Sequence, residues 1–251
     1  MILYHGNDHV LAKPLFGFGK QDNDYGSGFY TTQDFQQAVA WAMSYSSTVA
    51  YVNAYEVDET KLNVVNLDQY GPLSWIAEIV ANRGARGERA MLLGRELSNQ
   101  YRADLSKADI VVGYRADDSY SDIVDAFLQN EINVDEMDRL FREGHFGLQY
   151  FIKSQKAFDA LEYRGYQKFG ISEGYQNQAE VKARMDVSRF LRNRSSQIVL
   201  NGFRPSGITA QEAVKTHFVY DPIYKYYAPE IKGEVGSKEE DKETSEEERE
   251  R

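Results

Sequence analysis

The order of apolar and polar positions predicts short strands interleaved with helices. An apolar run at residues 2–4 ends at His5-Gly6 and reads as an opening strand that stops at a turn. Residues 12–28 hold Pro14 and glycines at 17, 19, 26 and 28, a loop whose backbone can approach a ligand closely. Gly28-Phe-Tyr-Thr-Thr32 reads as a second short strand. Asp34 suits an N-cap, and Phe35, Ala38, Val39, Ala42 and Met43 recur at helical spacing, which predicts a helix over 34–45. Alternation predicts a strand over 49–58, and a shorter one follows near 62–65. A helix over 71–82 has Pro72 just inside its start and Gly84 just beyond its end. Asp109-Ile-Val-Val-Gly113 reads as a buried strand, and 121–130 and 134–141 as helices. Gln149-Tyr-Phe-Ile-Lys153 is a strand, and Ser154 caps a helix with Ala157, Phe158 and Leu161 on its apolar face.

Beyond Tyr166 the pattern changes. Residues 177–192 are polar and helical, 208–215 form a second helical piece capped by Thr209, and 218–229 are aromatic and extended. From about Lys232 the chain is charged and nearly free of large apolar groups, so it is expected to be disordered. Strands with scattered helices and no regular βαβ alternation indicate an α+β fold. The organisation read from this is a main domain over 1–165, an appendage over 166–231 and an acidic tail over 232–251.

Composition narrows the chemistry. The 251 residues are 42% hydrophobic, enough for an ordinary core. The 18 tyrosines suit either half-buried sheet faces or polar-lined clefts, because a phenol buries a ring and still satisfies a hydroxyl. A formal net charge of −10 repels phosphate backbones, and no run of Lys and Arg mixed with aromatics overrides it. A dedicated nucleic-acid-binding module is therefore disfavoured. The absence of cysteine excludes disulfides, thiolate metal sites and Cys nucleophiles. The histidines at 5, 9, 145 and 217 offer no ligand spacing except His5 and His9, which Gly6-Asn7-Asp8 keep from sharing a helix face, so no metal is expected. No basic region precedes an apolar stretch at the N-terminus, and no run approaches the roughly 18 apolar residues of a membrane span. The expected location is cytoplasmic, although an effector exported without a cleaved signal has the same features.

Three segments carry the candidate chemistry. They are Leu3-Tyr-His-Gly6, Asp24-Tyr-Gly-Ser-Gly-Phe-Tyr-Thr-Thr32 with the following Gln36-Gln-Ala-Val-Ala-Trp41, and Leu148-Gln-Tyr-Phe-Ile-Lys153. In this order and spacing they resemble the His-Tyr-Glu branch of the ADP-ribosyltransferase superfamily, over roughly residues 1–165. They are similar as well to a bacterial family of unknown function grouped with those enzymes, which shares the Tyr-His-Gly start, the Gly-Phe-Tyr-Thr-Thr strand, the Asp-Ile-Val strand and the late Gln-Tyr strand. The resemblance implies a split β-sheet with surrounding helices and NAD⁺ as substrate. It implies catalytic roles for His5, Tyr30 and Gln149, and an NAD⁺ site of Tyr4, His5, Gly6, Gly28, Tyr30, Thr31 and Trp41. His5 then bonds a ribose hydroxyl, Gly6 offers its backbone to the carboxamide, and Tyr30 and Trp41 stack on the nicotinamide ring. Two such faces on a cationic ring contribute on the order of 1–2 kcal/mol each.

The departure is Gln149, where the branch has Glu. An amide accepts through its carbonyl but carries no charge, and in a dry site that charge stabilises the developing cation by several kcal/mol. Chain elongation, which leans on the acid, is disfavoured. Three activities stay open: mono-ADP-ribosylation of a protein or nucleic-acid acceptor, binding of NAD⁺ or ADP-ribose without chemistry, and NAD⁺ hydrolysis. Glu143 or Asp159 is a substitute carboxylate out of register with the motif. Gly17-Phe-Gly19-Lys20 lacks the rest of a phosphate loop. Asp117-Asp118 reads as a helix cap before a metal pair. Arg83 and Arg86 sit where cations compensate a helix dipole, or where they meet NAD⁺ phosphates. A toxin or phage-defence role with an antitoxin partner rests on analogy.

Overall fold

The computed structural model describes residues 1–45, 49–116, 118–143, 147–170 and 178–220. Strand β1 (Ile2–Asn7) begins the chain, and β2 (Phe29–Thr31) follows the glycine-bearing loop. Helix α1 (Phe35–Tyr45) and β3 (Val49–Glu56) come next, then β4 (Val64–Asn66) and α2 (Gly71–Arg83). The turn expected at His5-Gly6 is corrected: Gly6 lies inside β1, opposite Val52, and the strand continues to Asn7. Helix α2 has Pro72 in its first turn and ends at Gly84, whose φ of 76° suits glycine.

The remaining elements are α3 (Glu88–Tyr101), β5 (Ile110–Tyr114), α4 (Asp118–Leu128), α5 (Val134–Glu143) and β6 (Leu148–Ile152). They are followed by α6 (Gln155–Asp159), β7 (Glu162–Gly170), α7 (Gln178–Asn201) and α8 (Ala210–Thr216). Ser154 and Thr209 cap α6 and α8 as expected; Thr209 and Glu212 form a complete capping box. Helix α7 runs well past the expected end at 192.

The architecture is α+β with two sheets. One has the order β1-β3-β7 and is antiparallel throughout. The other has the order β2-β6-β5-β4, antiparallel except for the parallel β4–β5 pair. Among the described residues one isolated bridge, Tyr4 to Thr32, pairs the two sheets. Leu3, Phe29, Tyr55, Val57, Ile110, Val112 and Ile152, drawn from both sheets, form a shared buried cluster. Each such side chain contributes about 1.5–3 kcal/mol by leaving water. A second cluster of Ala38, Val39, Ala42, Ala50 and Val52 seats α1 on the first sheet.

Residues Met1–Phe218 form one compact unit. The boundary expected at 165 falls inside β7. The region beyond it is tied to the main body by Tyr101 Oη donating to the Ala213 carbonyl (2.8 Å), by Ser195 Oγ donating to Glu131 (2.8 Å) and by Val134 N–H donating to Ile208 (2.8 Å). The expected acidic tail, and the aromatic stretch from 221 onward, lie outside the described residues. No helix among the described residues is long and apolar enough to cross a membrane.

Candidate functional site at the split between the sheets

The split follows from the hydrogen-bond phase of β1. Along an antiparallel strand, N–H and C=O of successive residues point to opposite edges. Val57 N–H donates to the Met1 carbonyl (3.0 Å), so odd-numbered residues of β1 face β3. Tyr4 faces the other way and exchanges two bonds with Thr32, at 2.7 and 2.9 Å. Gly6, two residues on, turns its N–H and C=O to that same edge, where the bridge to β2 has already ended. These main-chain groups therefore point toward the split, at a residue that is itself buried. The need for glycine here comes from packing. A Cβ at Gly6 would lie 2.0 Å from the Ala38 carbonyl oxygen and 2.5 Å from the Ala42 nitrogen, so it is α1, packed against the strand, that excludes a side chain.

His5 sits at the mouth of the split. Its Nδ1 lies 2.8 Å from the Tyr30 carbonyl oxygen, which can only accept. Nδ1 therefore carries the proton, and Nε2 of the neutral ring is an acceptor. Burial lowers the imidazole pKa to about 4, partly opposed by that backbone bond, so the neutral form prevails at pH 7. The ring lies 4.5 Å from that of Phe29.

Tyr30 is held from both ends. Its hydroxyl donates to the Gly26 carbonyl (2.7 Å) and accepts from the Tyr25 N–H (3.0 Å), which ties the glycine-bearing loop to β2. Its ring lies 4.9 Å from Phe151 and, nearly parallel, 6.5 Å from Tyr25. Burial raises the phenol well above its ordinary range. The ring, not an ionised oxygen, is what this residue can offer a ligand.

Gln149 is buried on β6, and its surroundings were not anticipated. Its Nε2 donates to Asp24 Oδ2 at 2.6 Å and lies 3.3 Å from the Tyr114 carbonyl. Both partners only accept, which assigns the amide orientation and leaves Oε1 as the acceptor end. Asp24 is buried too; Oδ2 also accepts from Ala116 N–H (2.8 Å), and Oδ1 pairs with Arg83 Nη1 (3.1 Å). Tyr25 Oη donates to the Tyr114 carbonyl (2.7 Å) and accepts from Trp75 Nε1 (2.7 Å). Burial, with Asp24 close by, pushes the Tyr25 phenol far up. Gln149 thus meets Asp24 and the Tyr114 carbonyl, with Arg83 on the far oxygen of Asp24 and with Tyr25 and Trp75 on the same Tyr114 carbonyl. The signal for Asp24 was its place in the segment leading to Tyr30, but nothing in the sequence pairs it with a residue 125 positions away.

The other expected residues have structural duties. A Cβ at Gly28 would lie 2.2 Å from the Phe151 ring, so the glycine admits β6. Thr31 is fully buried, and its hydroxyl donates to the Tyr150 carbonyl (2.9 Å). Tyr4 packs edge-on against Phe35 at 5.2 Å. Trp41 lies under the Arg115 guanidinium at 5.6 Å; no contact with Tyr30 is found among the described residues. Arg86 pairs with Asp125 (3.6 Å), and Asp159 accepts from Gln155 (2.8 Å) on α6. The side chains of Glu143 and Asp118, and all of Asp117 and His145, lie outside the described residues. Among the described residues no three His, Asp or Glu converge on a metal position.

The fold and site define an α+β protein whose two sheets are paired, among the described residues, by one bridge, with a neutral histidine, a glycine edge turned toward the split and a buried amide–carboxylate pair beside it. A family model described as "Protein of unknown function (DUF3990)" matches residues 1–163, and the chain belongs to that family. The match ends within β7, so it contains every residue of the split. No curated protein and no solved structure matches the chain.

Proposed function

We propose that this chain is a mono-ADP-ribosyltransferase that breaks the nicotinamide–ribose bond of NAD⁺ at the split and passes ADP-ribose to a protein or nucleic-acid acceptor. The observation that carries the reading is the pairing of a Gly6 main-chain edge turned toward the split with a neutral His5 whose Nε2 is an acceptor. The Gly6 N–H and C=O complement the oxygen and NH₂ of a carboxamide. His5 Nε2 suits a ribose hydroxyl. Tyr30 supplies an aromatic wall.

In the reaction the C1′–N bond breaks and its electron pair neutralises the pyridinium nitrogen. The acceptor's nucleophilic atom bonds C1′ and releases one proton. The protein need only hold the leaving group, orient the ribose and stabilise positive charge at C1′. The Gln149 Oε1 is an uncharged acceptor for that purpose. That missing charge favours a second reading, an NAD⁺ or ADP-ribose binder without chemistry; an NAD⁺ glycohydrolase differs only in using water as acceptor.

The test is nicotinamide release from NAD⁺ by the purified chain beside His5→Ala and Tyr30→Ala. Release lost in both variants, with label kept on a macromolecule, supports the transferase; label kept on none supports the hydrolase. Calorimetric NAD⁺ binding without release supports the binder, and neither binding nor release contradicts the proposal.

A further inference from the structure

We infer that Asp24 is a positioning residue for this chemistry, supplying through Gln149 the negative charge that the amide lacks; the inference rests on the NAD⁺ reading above. The geometry is specific. Asp24 Oδ2 accepts from Gln149 Nε2 at 2.6 Å, while Ala116 N–H (2.8 Å) and Arg83 (3.1 Å, to the other oxygen) fix the carboxylate in place. Both side chains are buried, so water does little to screen the pair.

Two consequences follow from elementary electrostatics. An acceptor on the NH₂ side fixes the amide so that Oε1 is the end turned away from the carboxylate. A negative charge behind the NH₂ also polarises the amide and increases electron density on Oε1, which strengthens its bond to a ribose hydroxyl and its attraction for positive charge at C1′. Carboxylate and amide together place on two residues what a single Glu would place on one. Arg83 is more than a third exposed, so its opposing charge is screened by solvent as that of Asp24 is not.

A carboxylate exchange tests this. Asp24→Asn, Gln149→Glu and the double variant are compared with the wild type for nicotinamide release and thermal unfolding. Asp24→Asn keeps the shape and removes the charge; kcat falls by about tenfold or more with KM for NAD⁺ little changed, as expected for an interaction made mainly in the transition state. Gln149→Glu alone sets two carboxylates against each other, which lowers both melting temperature and rate and makes the rate rise as pH falls. The double variant restores one carboxylate and one amide, and its kcat recovers to the wild-type level or above. If Asp24→Asn does not fold, the double variant still decides by its rate. A folded Asp24→Asn with wild-type kcat overturns the inference alone, as does a folded double variant that stays inactive. A wild type that neither binds nor cleaves NAD⁺ overturns the proposed function, and this inference with it.

Discussion

On the β1 side of the split the polar groups are the Gly6 main chain and a neutral imidazole; on the β2–β6 side a buried carboxylate, a guanidinium and an amide converge. The first side is built by neighbours in sequence, Tyr4 to Gly6, and its geometry is that of a strand. The second is assembled from four elements, the loop before β2, α2, β5 and β6. The difference teaches where each side is vulnerable. The first depends on strand phase and close packing, whereas the second depends on every member of a buried polar network having its partner.

The largest expected effect breaks the second side. Trp75→Ala removes a fully buried ring and the donor to Tyr25 Oη, and is expected to cost about 3–5 kcal/mol, read as a fall in melting temperature. The next sharpens the contrast through pH. With the His5 pKa lowered to about 4 from 6.5, the unfolded chain takes up a proton at a higher pH than the folded one. Stability therefore falls as pH drops from 6.5 to about 4, by about 3 kcal/mol from this residue. His5→Ala should flatten that window in pH-dependent unfolding, and NAD⁺ affinity of the wild type should decline as Nε2 gains its proton. Gly6→Ala breaks the first side: a Cβ 2.0 Å from the Ala38 oxygen should force β1 and α1 apart and cost about 2–3 kcal/mol in thermal unfolding. The smallest is a control on neither side. Thr209→Ala removes the α8 capping box, should cost about 1 kcal/mol, and should leave nicotinamide release unchanged.

Much of the fold was legible because its signals are local. Pro72 and Gly84 bracket α2, Ser154 and Thr209 cap their helices, and the alternation of 49–58 marks β3 to within a residue or two. Helix α3 was missed because its buried stripe is Ala90, Gly94 and Leu97, while Met91 and Leu92 are exposed. Small residues carry no hydrophobic signal, yet Gly94 is what lets α3 approach Val80 of α2. Strand β7 was missed because most of it is exposed, so its polarity reads as loop; Gly165, at φ 110°, accompanies an irregularity in its pairing with β3.

At the candidate site the same division holds. His5, Gly6, Tyr30 and Gln149 were legible as motif residues, and the structure places His5, Gly6 and Tyr30 together, with Gln149 two residues from Phe151, the partner of Tyr30. The reason for glycine at 6 and 28 was not legible, since it lies in α1 and β6 rather than in a ligand. The Asp24–Gln149–Arg83 network was not legible either, because no local pattern encodes a pairing across three elements.

The measurement that tests the site most directly is amide hydrogen exchange of the full chain with and without NAD⁺. A nucleotide held at the split slows exchange at Gly6, whose N–H faces it, and over the segment from Gly26 to Thr31. Protection confined to another surface, such as α3 or α7, or no protection at saturating NAD⁺, would contradict a nucleotide site between the two sheets.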